Sequence, residues 1–188
     1  GDDVRSLRCV REAALKAQSG RHRVVAGKPL PEAMLAENPD EVQIGGANLR
    51  RQIENIRIHG VPPVIAINAF TSDHPSEHRA ILEIAAELGV RAAVATHHAD
   101  GGRGATELAE AVAEAAEEPS DFRLLYPDSA TLRQKIERIA TAIYGADGVD
   151  YDALASQQLD RYEANGFGDL PVCIAKTHLS MSSDPKLK

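Results

Sequence analysis

The residues best suited to chemistry lie where a short apolar run stops. Val61-Pro62-Pro63-Val64-Ile65-Ala66-Ile67 gives way to Asn68-Ala69-Phe70-Thr71-Ser72-Asp73, and Pro75 follows where a helix would start. A buried strand that opens at its carboxyl end into a loop and a helix is where open α/β sheets place ligands. Asn68 and Phe70 are therefore the first residues expected to touch a small molecule, with Asp73 beside them. A turn-forming asparagine and an aspartate near a helix start also have a purely structural reading. Phe70 is an isolated aromatic in a chain with 4% aromatic residues. Its ring either plugs the core or stacks on a planar molecule.

Four further clusters invite a reading. In His97-His98-Ala99-Asp100, adjacent residues leaving a strand point to opposite faces. No cysteine flanks them and no H-x-x-x-H lies nearby, so the pair is expected to line a pocket, not to hold a metal. Gly101-Gly102-Arg103-Gly104 then opens a helix. Its free amides could hold an anion, or the glycines could simply form a turn, and both readings stay open. Lys176 and His178 follow the last apolar run, where a solvated strand end is the simpler account and Lys176 a candidate pocket residue. Gly27-Lys28 imitates a phosphate loop but fails the pattern G-x-x-x-x-G-K-[ST], because Gly20 is misplaced and Pro29 offers neither hydroxyl nor amide hydrogen.

The elements that must position these residues follow from apolar spacing. Val4, Leu7, Val10 and Ala14 recur at helical intervals up to Gly20, predicting a helix over 1–20. Residues 21–46, interrupted by Gly27, Pro29, Pro31 and Pro39, read as a long loop with at most a short helix. Leu49, Ile53 and Ile56 mark a helix ending before Gly60, and the central strand follows. Ile81, Ile84, Ala85 and Leu88 give a helix ending at Gly89, and residues 90–96 a second strand. Leu108 and Val112 carry another helix, and residues 122–126 could be a short strand. Asp128 or Ser129 is expected to cap a helix striped by Leu132, Ile136, Ile139 and Ile143. Ala155, Leu159 and Tyr162 mark one more helix, and residues 171–175 a third apolar strand. Strands alternating with helices predict one α/β unit, a parallel sheet with covering helices centred on residues 47–178, with a frayed tail over 179–188.

A net charge of −7 argues against general nucleic-acid binding. Cys9 and Cys173 form no C-x-x-C, which suits reduced thiols in a cytoplasmic protein. No apolar run reaches membrane-spanning length. The start at Gly1-Asp2-Asp3, without methionine, reads as a cut or processed chain.

Longer stretches carry a resemblance. Asn48 to Pro62 (N-L-R-R-Q-I-E-N-I-R-I-H-G-V-P), the following V-I-A-I-N-A-F-T-S-D, Tyr144 to Tyr151 (Y-G-A-D-G-V-D-Y) and Gly166 to Pro185 are similar to formate–tetrahydrofolate ligases, in the family's order. Val4 to Arg8 resembles that family's V-R-A-L-K. The resemblance implies a three-layer architecture like that of P-loop nucleotide hydrolases. It also implies joining of formate to N10 of tetrahydrofolate, with ATP and Mg²⁺, through formyl phosphate. The family's phosphate loop and formyl-phosphate arginine have no counterpart here, so the chain resembles an internal piece under half the enzyme's length. It is expected to be inactive alone and to bind no ATP tightly. The family's pterin clamp is a phenylalanine, matching Phe70, and a tryptophan, whose position falls on His98; this chain has no tryptophan. Thr71 stands where the family often has proline, and Val94 would line the same pocket. The resemblance further implies a homo-oligomer. A non-catalytic folate-binding or subunit-interaction module is the alternative.

Overall fold

A computed structural model describes residues 6–25 and 27–175. The central strand is as the apolar run requires: β2 (Pro63–Asn68) is buried along almost its whole length. It lies between β1 (Ser6–Val10) and β3 (Arg91–Ala95), and both neighbours run parallel to it. Register pairs Val10 with Ile67 and Ile67 with Val94, so these side chains share one face. On that face α1 (Glu12–Gln18), α3 (Pro39–Ile58) and α4 (Pro75–Leu88) bury Leu15, Val42, Leu49, Ile53, Ile81 and Ile84 against Ile65 and Ile67. Alternation turns Ala66, Ala93 and Ala95 to the other face, where α6 (Thr106–Glu117) packs on β3 and β2. The fold is α/β, a three-stranded parallel sheet with helices on it.

Several expected elements differ. Residues 6–10 form an edge strand, not the first half of a helix, and α1 starts only at Glu12. The helical spacing of Leu7, Val10 and Ala14 spans a strand and a helix by coincidence, and pairing with the buried β2 overrides it. The loop expected over 21–46 holds the short α2 (Glu32–Leu35) and ends at Pro39, where α3 already begins. Asn38 caps α3 by accepting the Glu41 N–H at 3.1 Å. Residues 122–126 form no strand. They run beside the end of α3, where Arg123 N–H donates to the His59 carbonyl at 3.1 Å. Thr131, not Asp128 or Ser129, caps α7 (Leu132–Arg138) in a reciprocal box with Gln134. The stripe then passes into a π-helical turn, Ile139–Ile143, and α8 (Ala153–Ala164) follows.

Residues 171–175 are no strand either, because their surroundings bond side chains instead of a ladder. Val172 N–H donates to the Tyr126 hydroxyl at 3.1 Å, and the carbonyls of Gly168 and Leu170 accept from the buried Lys135 at 2.7 and 3.2 Å. The third strand of the sheet is β1. No described helix is long and apolar enough to cross a membrane.

Two glycines of the helices on the core face do different work. A Cβ on Gly45 would sit 1.9 Å from the Leu15 carbonyl oxygen, so α1 and α3 meet backbone to backbone there. Gly89 ends α4 at φ +60°, in open space. Gly45→Ala should therefore cost roughly 2–3 kcal/mol through overpacking, and Gly89→Ala only about 1 kcal/mol through left-handed strain. Urea unfolding of the two variants checks this, and equal losses would contradict the packing account.

Candidate functional site

The three parallel strands deliver their carboxyl ends to one edge. There the segments after them gather: Arg11-Glu12, the loop 69–74, and α5 (His97–Asp100) with the 3₁₀ turn Gly101–Ala105. The ladder runs one step past β2, since Ala69 N–H donates to the Ala95 carbonyl at 3.0 Å. That bond fixes the β2 loop against the start of α5. Phe70, half-buried, and His98, exposed, meet with ring centroids 4.9 Å apart and planes tilted by 42°. The Arg11 guanidinium carbon lies 4.0 Å from the Phe70 ring centre, over its face. The sequence pointed to the two loops. Arg11 was not foreseen, because its strand was read as helix; its place directly after a strand end was the available signal.

Asp73 holds this arrangement. Its side chain is 2% exposed, and it accepts the Phe70 N–H at 2.7 Å and Arg11 Nη2 at 3.3 Å on separate oxygens. The carboxylate thus anchors Phe70 and Arg11 and does not point at a ligand. Glu12 lies against it, fully buried. Burial first, then the neighbouring Asp73 carboxyl, push the Glu12 carboxyl up to about 7. Burial alone would raise Asp73 too. Hydrogen bonds from Glu12 and the Phe70 amide, with the Arg11 charge, outweigh it and hold Asp73 below its ordinary value. One proton is thus shared, and Glu12 carries it.

The remaining candidates scatter. Thr71 is exposed in the turn. Val94 packs against the core on the face shared with Ile67. Asn68 lines a separate cavity of about 250 Å³ with Arg8, Arg11, Leu49 and Gln52, and its buried Oδ1 has no hydrogen-bond partner. Gly101 and Gly102 are exposed, with open space around them. His97 and His98 are on a helical turn, not in the expected loop, and Thr96 Oγ1 donates to Asp100 Oδ2 at 2.7 Å. Lys176 and His178 lie outside the described residues. A larger hollow of about 650 Å³ opens at the other end of the strands, beside Arg57 and Arg91. Both cations there are taken: Arg57 donates to the Leu88 carbonyl at 2.5 Å, and Arg91 pairs with Glu114 and Glu118.

The site at the carboxyl edge therefore offers a stacking platform backed by a cation. Its proton-sharing pair has a measurable signature. Glu12 is raised from 4.5 to about 7 on folding, so the folded chain holds the extra proton across that window. Stability should be highest near the lower limit and fall as pH rises through it, by on the order of 2 kcal/mol. Glu12→Gln should abolish that fall and be more stable than the parent at about pH 8. Urea midpoints at about pH 5 and pH 8 in EDTA decide it; the same slope in both proteins would refute the shared proton.

Comparison with known proteins agrees with the collinear stretches. The family profile described as formate–tetrahydrofolate ligase matches residues 8–188. The chain is 67% identical over 174 residues to the formate–tetrahydrofolate ligase of Saccharopolyspora erythraea, covering 93% of this chain and 31% of that protein. It is 57% identical over 184 residues to formate–tetrahydrofolate ligase 3 of Rubrobacter xylanophilus (93% and 32%), and 49% identical over 175 residues to the enzyme of Cutibacterium acnes (93% and 31%). The chain thus spans about a third of the length of these relatives. It belongs to the formate–tetrahydrofolate ligase family.

Proposed function

We propose that this chain forms the folate-side wall of a formate–tetrahydrofolate ligase, with Phe70 and His98 as the two jaws for the pterin ring. The ring pair at the carboxyl edge of the sheet carries the reading. Its separation also sets what binding requires. Rings 4.9 Å apart leave no room for a third between them, since two stacking gaps of about 3.5 Å each are needed. One jaw has to move by roughly 2 Å. Phe70 is held through its amide by Asp73 and covered by Arg11, whereas His98 sits exposed on a four-residue helix. His98 is the moving jaw.

Phosphate chemistry does not fit the described residues. Gly27-Lys28 forms an exposed turn with no helix opening behind it, and no G-x-x-x-x-G-K-[ST] occurs. ATP, Mg²⁺ and formyl phosphate are accordingly assigned no step on these residues, and the chain alone is expected to bind folate without turnover. The cytoplasmic setting and the subunit assembly implied by the resemblance belong to the same reading.

Calorimetry with tetrahydrofolate tests it. Binding should be lost in Phe70→Ala and tighten about fivefold in His98→Trp, because indole offers more stacking area than imidazole. Undiminished binding by Phe70→Ala would remove the clamp from the account. ATP-dependent formation of formyltetrahydrofolate by this chain would show that a phosphate site had been missed.

A further inference from the structure

Behind Phe70 three side chains from three segments converge. Glu12 starts α1, Asp73 lies in the β2–α4 loop and His78 stands in the first turns of α4. Each offers one ligand-type atom, and the three atoms lie within 4.8 Å of one another. His78 Nε2 is 3.8 Å from Glu12 Oε2 and 3.8 Å from Asp73 Oδ2. Hydrogen bonds of this kind end near about 3.2 Å. Twice the metal–ligand distance of about 2.1 Å to nitrogen or carboxylate oxygen just exceeds the observed gap. The space is as wide as an ion.

A second observation points the same way. Glu12 is 3% exposed, yet its Oε2 has no hydrogen-bond partner, and neither has the buried His78 Nε2. Whichever Glu12 oxygen shares the proton with Asp73, the imidazole nitrogen is left unanswered. Each such buried atom costs on the order of 1–3 kcal/mol, and native structures answer them with water or an ion. Arg11 does not fill the gap. Its Nη2 donates to Asp73 Oδ1 at 3.3 Å, while its Nε, 3.5 Å from Glu12 Oε1, makes an ion pair without a hydrogen bond; the other oxygen of each carboxylate faces His78. Asp73 Oδ2 also accepts the Phe70 amide, but a carboxylate oxygen has lone pairs for both. With Glu12 protonated the cluster is neutral beside Arg11; once that proton leaves, two carboxylates face one guanidinium and a cation can take its place. One imidazole nitrogen with two carboxylate oxygens suits a first-row transition ion better than Mg²⁺ or Ca²⁺, which prefer all-oxygen shells.

We propose that Glu12, Asp73 and His78 bind a divalent transition-metal ion of the Zn²⁺ or Mn²⁺ class, stapling the start of α1 to the start of α4 behind Phe70. Water completes the coordination. The ion takes the place of the proton that Glu12 and Asp73 share, as ligation requires deprotonated carboxylates. The ligand atoms do not include the ring pair, so the metal site stands or falls apart from the folate reading.

The test uses chelator-stripped chain titrated with MnCl₂, free ion being counted by electron paramagnetic resonance, and with ZnCl₂ by calorimetry. One equivalent should bind, and Glu12→Gln and His78→Gln should each weaken it at least about tenfold. His97→Gln/Asp100→Asn, which removes the exposed histidine–carboxylate alternative, should bind as the parent does. Zn²⁺ should raise the melting temperature of the parent but not of the two site variants. A measurement without substitution guards against misfolded variants. Mn²⁺ should broaden the His78 imidazole resonances before those of the other six of the chain's 7 histidines. No binding at about 1 mM free ion, or broadening that begins at His97 and His98, would overturn the proposal and leave the gap to water.

Discussion

The structure depends on burying charge between α1 and the start of α4. Lys16 and Glu77 are each 1% exposed and form an ion pair. The other two hydrogens of the ammonium go to the carbonyls of Met34 and Ala36 at 3.0 and 2.7 Å, while Glu77 accepts the Asn38 N–H at 2.7 Å. An ion pair withdrawn from water is tolerated only when its remaining donors and acceptors are engaged in this way. Because those partners come from α2 and from the cap of α3, four helices are tied at one point. Apolar packing supplies the bulk of the stability, but this point decides how the helices are placed.

One turn earlier on α1 the same seam carries a second rung, and it is built differently. Glu12 precedes Lys16 by four residues and Asp73 precedes Glu77 by four, so the two rungs stack along one direction. The first joins opposite charges. The second sets carboxyl against carboxyl, with Arg11 on one flank and His78 on the other. A core selected for stability alone would not put two acids together there. Such local conflict is the usual mark of a position kept for function. The rung reaches the site through Asp73, whose oxygen fixes the amide of Phe70 and whose salt bridge places Arg11 over the ring.

Much of this was legible, unevenly. The buried strand, its parallel neighbour after Gly89 and the helix between them follow from apolar runs bounded by proline and glycine, because both faces of that strand are covered. β1 was not legible. Leu7 is 52% exposed, so an edge strand with one solvated face leaves a pattern that a helix can imitate. The start of α3 was hidden inside the proline-broken stretch read as loop; within it Gly45 permits the close approach of α1, and Gly46 lies under the Ile84 side chain of α4. Residues 171–175 misled in the other direction, since an apolar pentapeptide says nothing of whether a sheet edge waits for it. Phe70 and His98 emerged from their loops and from the collinear resemblance. Arg11, Glu12 and His78 did not. Lone charged residues acquire meaning only once the fold brings the β1–α1 turn beside the β2–α4 loop.

That juxtaposition bears on how the ring pair operates. A stacking platform is useful only if one jaw is fixed, since ordering both on binding would cost rotamer entropy twice. The buried rung fixes Phe70 from behind, through backbone and guanidinium together, while the imidazole opposite stands exposed on a four-residue helix. Whatever occupies the rung, proton or ion, acts on the platform through Asp73 and Arg11. A change of occupant that shifts this carboxylate alters the grip on Phe70, and by linkage a ligand held on Phe70 alters the preference for the occupant by the same free energy. The chain thus sets a buried acid pair behind one phenyl ring and an exposed imidazole in front of it.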